Sequence, residues 1–169
     1  MPEKDASENV KILIVGDGNL SFSLSLCRLY KARSPLVFQH FGIPLSSNLN
    51  IIATTFDSHQ QLLEKYAETK DIIFNLQTFK FLQLVHEINA MELHSSFNEK
   101  FDFVVWNHPH LHIEDFKLHG VLLAHFFDSV SRVLTRQGQV VLRYFLLTES
   151  CLWTTFTMGF NKLGKKIEA

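Results

Sequence analysis

Gly16, Asp17, Gly18 and Asn19 stand between an apolar run, Ile12, Leu13, Ile14 and Val15, and a stretch that reads as helix. Glycine has no Cβ, so Gly16 and Gly18 let the backbone take positive φ and lie close against a ligand. The helix behind them would offer unpaired N–H groups in its first turn. Strand, glycine turn and helix N-terminus in that order make the first loop of a nucleotide-type cofactor site. The alternative reading is a tight turn with no ligand. The dinucleotide fingerprint asks for a third glycine and for an acidic residue about 20 residues on. Ser21 holds the third position, and the acidic residue comes later, at Asp57, behind Phe56 and a second strand. No Gly-Lys-Ser/Thr follows, so a P-loop is excluded. The pair that remains, G-x-G after strand one and a carboxylate after strand two, suits a cofactor with a ribose and no pyrophosphate, such as S-adenosylmethionine.

A second polar group follows the apolar run FDFVVW: Asn107, His108, Pro109 and His110. The carboxyl end of a central strand is where open α/β sheets bind ligands. Pro109 restricts the residue before it, so His108 is expected to be extended. An Asn amide presents both a donor and an acceptor to a base edge. An imidazole stacks on a base or exchanges a proton near neutral pH. The bland alternative is a strand-to-helix turn with solvated histidines, and that is the reading for His112 and His119. His108, His110 and His112 alternate, but no cysteine or carboxylate set completes a metal site beyond Glu114 and Asp115, and no H-E-x-x-H is present. No metal is expected.

These groups need a frame to hold them. The pattern gives strands over 10–15, 51–56, 81–88, 101–106 and 139–146. Helices are expected over 21–33, from a Ser58 cap to about 69, and over 114–134, where Leu118, Leu122, Phe126, Val130 and Val133 or Leu134 recur at helical spacing. In the second of these, Leu62, Leu63 and Tyr66 share a face. The stretch 34–50, with Pro35, Gly42 and Pro44, reads as a loop or insertion. The stretch 71–79 reads as a short helix or an irregular crossover, and 90–98 as a short helix and turn. Alternation of this kind predicts an α/β fold with a mostly parallel sheet covered on both faces. The expected strand order is 3-2-1-4-5, with Gly16 and Asn107 at the same carboxyl edge.

At 169 residues and 46% hydrophobic content, the chain has enough for one domain with a packed core. That domain is placed at 10–160, between a flexible N-terminus, 1–9, and a basic tail, 161–169, with Lys162, Lys165 and Lys166. A formal net charge of −1 gives no global basic field for nucleic acid. Cys27 and Cys151 form no framework, which favours a reducing interior compartment. No signal-peptide h-region or membrane-length apolar run is present. After strand five, 148–157 reads as a helix, so the sheet is expected to be truncated there, without a closing hairpin. Strand five would then be an edge, with Val140, Leu142 and Tyr144 partly uncovered and a tendency to self-associate.

Three segments together resemble one family: ILIVGDGNLSFSLSL, IIATTFDSHQQLLEKY, and FDFVVWNHPH followed by LLAHFFDSVSRVL-x-x-x-G. They are similar to the Rossmann-like methyltransferase domain of the large-subunit rRNA (uridine-N3)-methyltransferase-like family, a domain that also occurs fused to a ferredoxin-fold anticodon-binding domain. The resemblance runs over about 12–144. It implies methyl transfer from S-adenosyl-L-methionine to N3 of a uridine in large-subunit rRNA or a pre-ribosome, in rRNA processing, in the nucleolus or cytoplasm. Residue by residue, it implies that Gly16, Asp17, Gly18, Asn19, Phe56 and Ala90 line the cofactor, that Asp57 holds its ribose hydroxyls, and that Asn89 meets its adenine. Family members usually show V-D-A-T where this chain has Ile88, Asn89, Ala90 and Met91, so Asn89 accepts without charge. The 107–110 segment matches a family motif N-[FH]-P-H, implying Asn107 as reader and His110 as base or stacker, with His108 and Pro109 against the target base. A competing class is a cofactor-binding domain that no longer catalyses. Ser21 and the late Asp57 disfavour a third class, a nicotinamide-dependent oxidoreductase.

Overall fold

The computed structural model describes residues 8–111, 115–145 and 153–159. Its centre is a six-stranded sheet. The strands are β1 (Asn9–Val15), β2 (Asn48–Thr54), β3 (Leu82–Val85), β4 (Phe101–Asn107), β5 (Leu134–Phe145) and β6 (Trp153–Gly159). They lie in the order β3-β2-β1-β4-β5-β6. The first five are parallel, and β6 runs antiparallel to β5. The expected order therefore holds, with one strand added.

Both faces of the sheet are covered, which is why the central strands are apolar almost throughout. One face sends Ile12, Ile14, Ile51, Phe103, Val105 and Val141 into a core with α1 (Ser21–Lys31) and α2 (Pro35–Phe41). The other sends Leu13, Val15, Val104, Trp106, Val140 and Leu142 against α6 (Phe116–Ser131), through Leu122, Phe126 and Val130.

Several local expectations are corrected. The 34–50 stretch contains α2 rather than only a loop. Pro35 opens this helix, and Gly42 closes it at φ 63°, the positions where a fixed φ and a left-handed residue are favoured. Val37, Phe38 and Phe41 bury its inner face. Ser58 does cap a helix: its side chain and Gln61 make a reciprocal capping box for α3 (His59–Lys65). That helix stops at Tyr66, well short of 69, and Leu63 faces solvent while Leu62 is buried. A separate helix, α4 (Thr69–Leu76), resolves the ambiguous stretch. A 3-10 turn, Ala90–Glu92, leads into α5 (Leu93–Ser96). Leu118 lies on the exposed side of α6, and Leu134 belongs to β5.

The largest correction lies after β5. The segment read as a helix carries β6, which pairs with β5 along its length. β5 is thus an interior strand, and Val140 and Leu142 are buried, so the apolar edge expected to drive self-association is covered there. The Tyr144 side chain, Cys151, His112, Glu114 and the 161–169 tail lie outside the described residues, as does 1–7 of the N-terminus. Asn9 already belongs to β1. Among the described residues no helix is long and apolar enough to cross a membrane.

Candidate active site at the carboxyl edge

The carboxyl ends of β1 to β5 bring the residues singled out in the sequence to one edge of the sheet. Gly16 adopts φ +60°, and a Cβ there would meet Trp106 Nε1 at 3.0 Å. Both the backbone and the close indole therefore favour glycine: a side chain here would be strained and would press on Trp106. Gly18 has ordinary φ, and its nearest neighbour would be the Tyr66 hydroxyl at 3.6 Å. Buried Thr54 locks the two strand ends together. Its hydroxyl donates to the Ile14 carbonyl (2.9 Å) and accepts from the Gly16 N–H (3.3 Å), while its carbonyl accepts from the Asp17 N–H (2.9 Å).

The polar side chains of the loop close on the loop itself. Asp17 Oδ2 accepts from the Ser23 N–H at 2.7 Å and from the Ser23 hydroxyl. Asn19 Oδ1 accepts from the Ser21 N–H (3.1 Å), and its Nδ2 donates to Glu68 beside α4 (3.0 Å). Leu20, at φ 65°, makes the turn that allows this. Burial pushes the Asp17 carboxyl above its ordinary pKa, against the hydrogen bonds from Ser23 and Phe22 that pull it down. A carboxylate thus sits at the first turn of α1, where a dinucleotide fold would seat a pyrophosphate. Cys27 lies below; burial first and then Asp17 push its thiol up to about 12, so it stays a protonated core residue.

After β2, Phe56 is 72% exposed. Both carboxylate oxygens of Asp57 accept from Lys65 Nζ, at 2.8 and 2.7 Å. Thr55 Oγ1 donates to the Asp57 carbonyl (2.7 Å) and lies 2.8 Å from His86 Nδ1 at the end of β3. Past β3, Asn89 Oδ1 accepts from the Met91 N–H (3.0 Å) and caps the 3-10 turn. Ala90 packs on the α6 core.

At β4, Asn107 is half-buried, Pro109 is buried, and His108 and His110 are exposed. The expectation for His108 is corrected: its φ is +55°, in the left-handed region. Its N–H nonetheless continues the β4–β5 ladder one residue past the strand, donating to the Arg143 carbonyl (2.9 Å), so the chain turns only after that bond, against the preference imposed by Pro109. The His110 and His119 rings lie 5.5 Å apart, and His119 Nδ1 is 2.8 Å from the Asp115 carbonyl. Burial, then the positive charge of Arg143, lowers the His108 pKa.

Among the described residues no group of three or more His, Cys, Asp or Glu side chains is placed to hold a metal. A hollow of about 320 Å³ opens at the opposite, amino end of the strands, between Lys11, Asn50, Phe81, Glu99 and Phe101; it touches none of the residues above. Sequence reading did not single out Thr54, Lys65, Trp106 or Arg143. Arg143 alone left a trace, as a lone charge in the apolar run VVLRYF.

The architecture is that of the Rossmann-like methyltransferases. A precorrin-6y C5,15-methyltransferase from Geobacter metallireducens superposes with TM-score 0.50 at 22% identity, over 84% of this chain and 57% of that one. A putative rRNA-methylase from Clostridium thermocellum gives TM-score 0.53 at 10% identity, over 86% of this chain and 65% of that one.

The sequence narrows this class further. Residues 13–162 match the model of the BMT5-like family, described as rRNA (uridine-N3-)-methyltransferase BTM5-like, and the chain belongs to that family. It is also 32% identical to heavy metal-associated isoprenylated plant protein 41 of Arabidopsis thaliana, over 81% of this chain. The match spans only 25% of that protein's length.

Proposed function

We propose that the chain binds S-adenosyl-L-methionine at the β1–β3 carboxyl edge and methylates N3 of a uridine in large-subunit rRNA, as a nucleolar or cytoplasmic protein. The observation that carries the cofactor reading is the position of Asp17. Its carboxylate takes up α1 first-turn donors through Ser23, and it would repel a phosphate at that point. A cofactor with a ribose but no pyrophosphate fits this loop, and a nicotinamide dinucleotide does not. Gly16, Gly18 and Asn19 would hold the methionine end, Phe56 and Asp57 the ribose, and Asn89 and Ala90 the adenine. Bound there, S-adenosyl-L-methionine supplies a methyl group on a positively charged sulfur.

The uridine N3 carries a proton that must leave before the nitrogen can attack. Asn107 reads the base edge with its amide, His110 stacks on the base or takes the proton, and His108 and Pro109 frame it, with the nucleotide turned out of its stack. Positioning is the main contribution, since a near-attack geometry can supply roughly 7–11 kcal/mol.

Calorimetry with S-adenosylhomocysteine against NAD tests the first half. Binding of the former alone is expected, and Asp57→Ala should weaken it by about 1.5–3 kcal/mol, the range for hydrogen bonds to a charged group. Unchanged affinity in that variant removes Asp57 from the site. A second reading, a cofactor-binding domain without catalysis, has one observation in its favour: the Asn89 side-chain oxygen, where the family resemblance implies an acid, already accepts from the Met91 N–H. Cofactor binding without methyl transfer to any uridine-containing rRNA fragment would select it.

A further inference from the structure

The geometry points to Arg143 as the cation that stabilises the target base in its deprotonated form, a role that rests on the uridine-N3 reading above. The register β4–β5 pairs Val105 with Val141 and Asn107 with Arg143. Both valines point into the core beneath α1 and α2. Two residues on, with side chains alternating between faces, Asn107 and Arg143 come out on the same side, next to each other, where the core gives way to the carboxyl edge. β1 is the other neighbour of β4, with Val15 opposite Trp106, so the glycine loop opens beside this pair. Arg143 is half-buried rather than splayed into solvent. The base reader proposed above therefore has a guanidinium as its lateral neighbour.

Uridine is a weak acid at N3. When the N3–H bond breaks and the proton passes to an imidazole nitrogen, one negative charge spreads over N3, O2 and O4. The N3 lone pair then forms the N–CH3 bond while the donor's S–CH3 bond breaks and sulfur keeps that electron pair. The products are a neutral methylated base, a neutral thioether and the proton on the imidazole. A fixed cation facing O2 or O4 stabilises the charged stage, in the way oriented donors stabilise an oxyanion, and arginine stays protonated throughout. Among the described residues, the titratable groups that interact with Arg143 are His40 on α2 and His108 past β4, while the register places Thr155 of β6 beside it. Burial, and after it the guanidinium, lowers the pKa of both imidazoles. Arg143, protonated throughout, is the fixed positive charge at this edge.

The test uses the full chain loaded with S-adenosylhomocysteine and short RNAs carrying either uridine or 5-fluorouridine, whose N3 is more acidic. Wild type should prefer the fluorinated RNA, increasingly so as pH rises through mildly alkaline values. Arg143→Gln should lose that preference, and Arg143→Lys should keep part of it; melting temperatures report whether each variant is folded. In methyl-transfer assays Arg143→Gln should lower kcat by about 100-fold, the loss typical of a removed charge-stabilising donor. Its rate should recover toward alkaline pH, with S-adenosylhomocysteine affinity unchanged. Equal weakening for both RNAs with a shallower salt dependence would make Arg143 a phosphate contact and overturn the assignment. So would a wild type that binds S-adenosylhomocysteine yet shows no preference between the two RNAs. A wild type that does not bind S-adenosylhomocysteine overturns the cofactor reading itself, and this assignment with it.

Discussion

Two halves of one sheet edge handle their polar groups in opposite ways. On the β1–β2 side they close on one another: Thr54 with Ile14 and Gly16, Asp17 with Ser23, Asn19 with Ser21 and Glu68. On the β4–β5 side His108 and His110 stand exposed beside a half-buried amide and a guanidinium. The first half is a shaped cradle that leaves backbone surface and the Asp57 carboxylate for a ligand. The second presents titratable and charged groups. A cofactor held the same way in every turnover suits the first. A base that must be entered, deprotonated and released suits the second. At this edge left-handed residues occur in both halves, at Gly16, Leu20 and Glu87 on the β1–β3 side and at His108 on the other.

The sharpest way to break this contrast is inside the cradle. Gly16→Ala should give the largest effect. A left-handed conformation costs a residue with a Cβ about 1–2 kcal/mol, and the new atom would press on Trp106 at 3.0 Å. A clear drop in melting temperature and loss of S-adenosylhomocysteine binding are expected. Gly18→Ala is the control. With ordinary φ and 3.6 Å of clearance, it should melt close to wild type. Equal behaviour of the two variants would mean that the loop is not the tight cradle described.

Asp17 comes next. Asp17→Ala removes an acceptor from two donors on Ser23 and should cost about 1.5–3 kcal/mol in urea unfolding. Asp17→Asn keeps an acceptor oxygen and isolates the charge. The folded-state pKa lies above the ordinary 3.8, with burial as the chief cause. Asp17's contribution to stability is therefore complete below the unfolded value and declines as pH rises through the folded one. The stability difference between Asp17→Asn and wild type should shift in favour of the variant from pH 3 toward pH 7, over roughly the carboxylate range. A shift in the other direction would show that the Ser23 bonds outweigh burial.

On the other half, Asn107→Ala and His110→Ala should each lower kcat more than S-adenosylhomocysteine affinity, because neither lies on the cradle side. Equal losses in both quantities would join the two halves into one site.

How much of this contrast was legible in the sequence depends on the range of the forces involved. The β1 strand, its glycine turn and α1 were readable because apolar run, turn residue and helix follow one another locally. The Ser58 cap was readable because Gln61 lies one helical turn away. The strand order followed from alternation and crossover rules. The helix α2 was missed because Pro35 and Gly42, which mark loops in isolation, here bracket a helix whose Val37, Phe38 and Phe41 find the core. WTTFTMG is rich in β-branched and aromatic residues, but it becomes strand β6 through its pairing with β5, a tertiary contact that a helical reading of the segment leaves out. Within the site, positions were legible and partners were not. Asp17 reads as a ligand contact until the left-handed Leu20 turns its carboxylate onto Ser23. His108 reads as extended from the proline that follows it, yet it takes φ +55° where the chain leaves the sheet. Arg143 acquires a role only through its register with Asn107, which no local pattern encodes.

The smallest expected effect probes the one place where the cradle side carries a displaced charge. Asp57 is the carboxylate proposed to hold the ribose, yet both of its oxygens accept from Lys65. A ribose that donates to Asp57 must displace or share that ammonium group. The lysine side chain is 49% exposed and that of the aspartate 18%, so water and salt screen the pair and it holds only weakly. Lys65→Met should therefore leave the melting temperature nearly unchanged and tighten S-adenosylhomocysteine binding by at most about fivefold, the ceiling an exposed ion pair allows. The gain should shrink as ionic strength rises, because salt loosens the pair in wild type as well. Binding that weakens in Lys65→Met would assign the lysine to the cofactor directly. The cradle would then meet its ligand with a second charged group beside Asp57, and the contrast between the two halves would weaken at this point.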